Sequence, residues 1–469
     1  MAEAVLCVDV GSTFTKGALV DAEAGELLAV AAHPTTLAGD VLEGVCAVRA
    51  AVEAAAGRRA GEVLACSSAG GGLRIAVVGY ERLVTARAGH RVALTAGGCV
   101  VHVHAGPLDG AGLAALRATR PDVVLLTGGT DGGNADVVLH NAGRLARARI
   151  AVPVVYAGNA DAAEPARDLL AATGRRVAVA GNVLPRIGVL DPQPARAAIR
   201  AAFLEHVIGG KRLSREPAFH RMLRGATPDA VLAGVEVLAD GAPGVPGAGD
   251  VLVVDVGGAT TDVYSVVTPA GEDATLPREV VATLWRARTV EGDLGMRWSA
   301  PGVLAAARAE RLLAEPGTDP SGGPPVGSDA GLDAGLDDYA AACAADPRRL
   351  PTSPAEAAAD ARIAELAVTV ALRRHARPAV PAAPARPLGD VGLVVGCGGV
   401  LRHGDDGLRR RVLAAAIGDH AGGWKVPDRA RPAVDARYAL FAAGLLAARV
   451  PVAAARLATT SLVPVPAAR

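Results

Sequence analysis

Two stretches decide the fold: VLCVDVGSTFTKGALV, residues 5–20, and VLVVDVGGATTDVYSV, residues 251–266. Each opens on a continuous apolar run, the pattern of a strand buried on both faces. Each run reaches an aspartate, then a glycine turn, then a second run. Val5, Leu6, Val8, Asp9, Val10, Gly11 and Thr15 match Val251, Leu252, Val254, Asp255, Val256, Gly257 and Thr261. A strand–turn–strand unit that recurs within one chain predicts two lobes built alike. The division falls at residues 1–245 and 250–469, because Gly241 to Gly249 is a glycine- and proline-rich seam.

The chemistry of the turns points to phosphate. In the first hairpin Gly11 lets the backbone approach phosphate oxygens, and Ser12 and Thr13 add hydroxyl donors. Lys16 supplies a point charge for the β- and γ-phosphates. The chain has three lysines, Lys16, Lys211 and Lys425, among 48 basic residues, so a retained ammonium here supports that role. Asp9, at the strand end, suits Mg²⁺ held through water. The second hairpin repeats the logic with Gly257, Gly258, Thr260 and Thr261, flanked by the carboxylates Asp255 and Asp262. One such turn reads more readily as a plain hairpin; two in matching settings favour a phosphate clamp. A third glycine turn, Val394 to Val400, follows a strand and carries Gly396, Gly398 and Gly399. In a two-lobed ATPase it meets the adenosine.

Composition narrows the alternatives. Basic and acidic residues balance at 48 each, so no strong field for nucleic acid or membrane is expected. Hydrophobic residues make up 51% and aromatic ones 3%, which suits buried strands in an α/β protein. Six cysteines are scattered without a C-x-x-C pair, as in a reducing, cytoplasmic setting. The longest apolar tract, Tyr438 to Ala448, is too short to span a bilayer. Strands are expected at Val123–Thr127, Val152–Tyr156, Val177–Ala180 and Val391–Val395, and helices at Ala195–Val207, Ile363–Arg374 and Ala436–Arg449. Glu315–Asp338 reads as a surface loop and Arg374–Gly389 as a linker.

The two hairpins and the third glycine turn resemble the actin, Hsp70 and sugar-kinase superfamily in their order along the chain. That resemblance implies two RNase-H-like lobes with a nucleotide cleft between them, ATP and Mg²⁺ as ligands, and Asp9 and Asp255 as the catalytic carboxylates, with Asp9, Asp255 and Asp262 serving the metal. Ala259 departs from the pattern where Hsp70-like hairpins carry a third glycine.

Three further segments, Cys66–Leu73 (CSSAGGGL), Leu125–Asn134 (LLTGGTDGGN) and Arg288–Arg297 (RTVEGDLGMR), are similar to the glutamate mutase accessory proteins of the MutL or GlmL type. That family implies an ATP-dependent reactivating partner for an adenosylcobalamin-dependent mutase. A small-molecule kinase and an actin-like scaffold or filament remain as alternatives on the same fold. Neither the mutase served nor the choice between monomer and homo-oligomer is written in the sequence.

Overall fold

The computed structural model describes residues 3–466 apart from 38, 70–72, 82–84, 149, 208–212, 269–285, 314–334 and 378–385. Most of the expected loop Glu315–Asp338 lies outside the described residues, as do Gly70 to Gly72, Lys211 and the middle of the linker.

The first hairpin is β1 (Ala4–Val10) and β2 (Phe14–Asp21), extended by antiparallel β3 (Glu26–Pro34). β4 (Glu62–Ser67) then pairs parallel to β1 after a crossover helix, Val41–Ala56. Asp40 starts that helix by accepting from the Leu42 amide, and Gly57 stops it at φ 62°. The chain next leaves this sheet. β5 (Leu73–Gly79), β6 (Gly98–Ala105), β7 (Val123–Leu126), β8 (Val154–Tyr156) and β9 (Val177–Val179) form an all-parallel sheet of order 6-5-7-8-9. β10 (Leu223–Ala226) returns to β4, and the first sheet closes with order 10-4-1-2-3.

A short hairpin, β11 (Gly241–Ala242) and β12 (Val245–Pro246), leads to the last sheet. Its strands are β13 (Val251–Val256), β14 (Thr261–Val266), β15 (Arg286–Glu291), β16 (Leu393–Cys397), β17 (Arg431–Val434) and β18 (Val463–Pro464), in order 15-14-13-16-17-18. The same plan therefore occurs twice: a three-strand meander whose first strand is joined by two parallel ones. That is the RNase-H-like order, and the repeat in the sequence is a repeat in topology. The strands near 123, 154 and 177 form as expected but belong to the inserted parallel sheet. Apolar patterning marks a strand and not the sheet it joins.

Both faces of β1 and β13 are covered, which explains their continuous apolar runs. Leu6, Val8 and Val10 pack into an outer core with Val41, Val45 and Val52 of the crossover helix. Val5 and Cys7 face the other way, into a core shared with Val251, Val253 and Tyr264 of the last sheet. Helices Thr227–Asp240 and Ala439–Ala447 fill that shared core. They follow β10 and β17, equivalent places in the two RNase-H-like sheets. Their crossing is very close: a Cβ on Gly234 would stand 1.9 Å from the Leu440 carbonyl oxygen, and one on Gly444 1.8 Å from that of Ala230.

The crossing generates a test. Gly444→Ala should destabilise the protein by about 1–3 kcal/mol, because backbone must move to admit one methyl group. Gly143, within helix Asp136–Arg147, has open space around its Cβ position, so Gly143→Ala should stabilise by about 0.5–1 kcal/mol. Urea unfolding of the two variants should move in opposite directions. Equal midpoints would contradict the close crossing.

Candidate functional site

The two hairpins present matching positions. Asp9 is paired in register with Lys16, and Asp255 with Asp262, so each pair lies on one face of its hairpin. The turns close identically: the Gly11 amide donates to Phe14 O at 3.1 Å and the Gly257 amide to Thr260 O at 2.9 Å. A Cβ on either glycine would meet that same oxygen within 3 Å. These two glycines are thus required by the turn itself, and their amides are spent inside it. Ser12, Thr13 and Gly258 are the exposed residues at the tips.

Lys16 joins the hairpins. Its Nζ stands 3.7 Å from Asp9 Oδ2 and 4.2 Å from the ring centre of Tyr438, which lies on the last sheet's side of the molecule. Burial would favour the neutral amine, but the negative charge of Asp9, with that of Asp255, outweighs it and holds Lys16 above its usual range. Arg402 stacks on Tyr438, also at 4.2 Å. Tyr438 itself has φ 52° and ψ 47°, a left-handed conformation that bulky residues avoid. Asp9 is 4% exposed, and Thr227, the first residue of its helix, donates to Asp9 Oδ1 at 2.5 Å.

Negative charge is in excess here. Burial, reinforced by Asp262, Asp9 and Asp435, pushes Asp255 up to about 6 despite the pull of Lys16. Burial raises Asp262 against the opposing Arg288, and raises Asp435 against the backbone amides of Ala439 and Leu440. Sequence reasoning missed Thr227, Arg402, Asp435 and Tyr438. Thr227 opens its helix and Asp435 and Tyr438 follow β17, with no glycine signature, while Arg402 lies in the short helix Gly399–His403 just past the third glycine turn.

The Arg288–Arg297 segment straps the second hairpin. Met296 N donates to Gly257 O, and Arg297 N and Trp298 N donate to Gly258 O, at 2.8–3.0 Å. Gly295 leaves room for Ala259: a Cβ there would fall 2.3 Å from the Ala259 carbonyl carbon. Gly295 is therefore required by the close approach of the strap to the backbone of the second turn. The Thr261 hydroxyl donates to Leu294 O, so it serves the strap rather than a ligand. Glu291 and Asp293 are held by Arg374 of helix Pro354–Ala376, and Arg297 makes a two-pronged pair with Asp360 at 2.7 and 3.0 Å.

The third turn divides its glycines. Gly396 faces packing, since a Cβ there would strike Leu401 and Leu413. Gly398, at φ 98°, passes 2.1 Å from Val256 O at its Cβ position, and Gly399 is open. Gly396 is thus a packing residue, and the other two lie beside the second hairpin. The LLTGGTDGGN loop sits elsewhere, on the inserted sheet. Asp131 accepts from Ala160 N and Asn182 Nδ2, and Asn182 and Asn159 bond to Gly129 O and Gly133 O.

The residues fit a Mg²⁺–nucleotide. Carboxylates beside a single lysine, with Asp255 pushed up to about 6, leave negative charge that suits Mg²⁺, which takes few carboxylates together with phosphates and water. Among the described residues no three His, Cys, Asp or Glu side chains are close enough to cage a metal. Asp9, Asp255 and Asp262 are accordingly not gathered into one such group.

Twin RNase-H-like sheets with an aspartate hairpin from each at one cleft define the two-lobed fold class of actin, Hsp70 and the sugar kinases. The family model described as MutL protein matches residues 5–462. The chain belongs to that family, as the resemblance in the sequence implied. It is 33% identical over 481 residues to Protein MutL of Clostridium tetanomorphum, covering 99% of this chain and 100% of the relative. A nucleotide-free acetone carboxylase structure is 14% identical, covers 95% of this chain and 70% of its own, and has a TM-score of 0.37. A ROK hexokinase from Thermus thermophilus is 15% identical, covers 97% of both chains, and has a TM-score of 0.28. The fold assignment rests on the sheet order and the family. Among the described residues no helix is long and apolar enough to cross a membrane.

The raised Asp255 has a pH signature. Its folded pKa, about 6, exceeds the unfolded value near 3.9. The folded protein then binds more protons between those values, so stability declines as pH rises through that window. Asp255→Asn removes the decline. By pH 8 the variant should be more stable than wild type by up to about 3 kcal/mol, with little difference at pH 4. Urea unfolding at both pH values checks this, and a constant offset would contradict it.

Proposed function

We propose that this protein binds and hydrolyses ATP with Mg²⁺ and acts as an accessory, reactivating chaperone for an adenosylcobalamin-dependent mutase such as glutamate mutase. The observation that carries the nucleotide part is Lys16, which touches Asp9 of its own hairpin and Tyr438 across the cleft. In this reading residues 1–245 form the lobe of the first hairpin and residues 250–469 that of the second. Family membership supports the mutase partner.

The roles of the side chains follow from their chemistry. Mg²⁺ bound with ATP supplies charge neutralisation at the β- and γ-phosphates. Lys16 holds a phosphate oxygen by its fixed positive charge. The tips at Ser12, Thr13, Gly258 and Thr260 offer donors, and Gly398 and Gly399 border the adenosine. Asp9 and Asp255 would hold the metal through its water shell, where Mg²⁺ would supply charge neutralisation. A chain that grips phosphate from both lobes is closed with ATP and looser after hydrolysis. Work on a mutase then requires that the two states bind it with different affinity.

The test is reactivation. A mutase inactivated with hydroxocobalamin is mixed with this protein, ATP, Mg²⁺ and fresh adenosylcobalamin. Activity should return with wild type and not with Asp9→Ala or Asp255→Ala. Phosphorylation of a metabolite, with the mutase left inactive, would replace this reading by the kinase one.

A further inference from the structure

We infer that Arg288 is a positioning residue that ties the nucleotide site to the inserted parallel sheet. The inference rests on the nucleotide reading above. Arg288 lies on β15 opposite Tyr264, whose ring centre is 5.6 Å from its guanidinium carbon. It is 4% exposed, yet none of its bonds is short. Nη2 stands 3.3 Å from both oxygens of Asp262, and Nη1 stands 3.5 Å from the Leu94 carbonyl oxygen. Nε has no hydrogen-bond partner among the described residues. A charge-assisted bond of this kind closes to about 2.7–2.9 Å when its partners are free to approach. The guanidinium is therefore divided between Asp262 and the Leu94 carbonyl, beside the Tyr264 side chain, and holds neither at close range.

The two acceptors belong to different parts of the molecule. Asp262 is the second carboxylate of the second hairpin. Leu94 is in the last turn of helix Thr85–Thr95, which follows β5 of the inserted sheet. Carbonyls at that end of a helix carry partial negative charge. The chain just beyond it reaches the other hairpin's support as well. Gly97, at φ 80°, lies so near the helix Thr227–Asp240 that a Cβ would stand 2.9 Å from Asp229 N, two residues from the Thr227 that holds Asp9. The segment from Leu94 to Gly98 thus touches the supports of both carboxylate hairpins.

Asp262 has a choice of cation. Mg²⁺ that engages Asp262, directly or through water, draws its negative charge away from Arg288. The guanidinium then shifts toward the Leu94 carbonyl and shortens that bond, which fastens the end of helix Thr85–Thr95. Without the metal, Arg288 is held back by Asp262 and the helix end is looser. Linkage makes the effect reciprocal: a partner that fixes the inserted sheet must raise affinity for the Mg²⁺–nucleotide by the same factor. The inserted sheet is in this way the part of the molecule through which a bound partner senses the nucleotide.

Hydrogen–deuterium exchange of the full chain tests the coupling, read on peptides spanning residues 85–98. Wild type, Arg288→Lys and Arg288→Met are compared without nucleotide, with ATP and EDTA, and with ATP and Mg²⁺. Calorimetry on each protein sets the concentration that saturates it. In wild type Mg²⁺–ATP should slow exchange near Leu94–Gly98 by about tenfold, the effect of one charge-assisted bond, and ATP with EDTA should slow it far less. Arg288→Lys should keep part of the slowing, and Arg288→Met none, at full occupancy. Equal slowing in wild type and Arg288→Met would overturn the coupling, as would saturation of wild type without any slowing. A wild-type protein that binds no Mg²⁺–ATP in the calorimeter would remove the nucleotide reading, and the coupling with it.

Discussion

Two helices that cross without side chains between them hold this molecule together. Gly234 and Gly444 let the helices after β10 and β17 approach until backbone meets backbone, at Leu440 and Ala230. Everything at the cleft hangs from that crossing. The first helix begins at Thr227, which bonds Asp9; the second begins beside Tyr438, which lies under Lys16 and Arg402. A shift of one helix against the other moves an aspartate of one hairpin relative to the lysine's aromatic seat. The crossing is thus the joint that sets the two hairpins' supports relative to each other.

The electrostatics at that joint are unbalanced by construction. Lys16 faces the buried Asp9 and the partly buried Asp255, with the partly buried Asp262 paired to Arg288 and the buried Asp435 near Asp255. Asp435 is partly neutralised by the amides of Ala439 and Leu440, an arrangement that a helix start provides at no cost in side chains. Asp255 has no such help, and its proton affinity rises accordingly.

The twofold plan was legible because buried strands write it in full. The run from Val5 to Val10 and the run from Val251 to Val256 alternate between two cores, so neither face tolerates polar residues until the aspartate. The inserted sheet was not legible as a separate body. Its strands carry the same apolar signal, and the pairing of β5 with β6 and β7 depends on crossovers that periodicity does not record. The hairpin residues Asp9, Lys16 and Asp255 were legible from type and spacing. The contacts of Thr261 with Leu294 and of Gly396 with Leu401 and Leu413 were not legible, because these neighbours are distant in sequence. Tyr438 and Asp435 gave no signal, since their importance comes from where β17 ends.

The central claim is that the two hairpins make one phosphate site. Titration calorimetry of ATP and AMP, each with and without Mg²⁺, addresses it most directly. Wild type should bind Mg²⁺–ATP more tightly than AMP. Lys16→Ala should lose about tenfold or more for ATP and less for AMP, as expected from one charge-assisted phosphate contact. Asp255→Ala should lose the Mg²⁺-dependent part. Equal ATP binding by wild type and the Lys16→Ala, Asp255→Ala double variant would contradict the account.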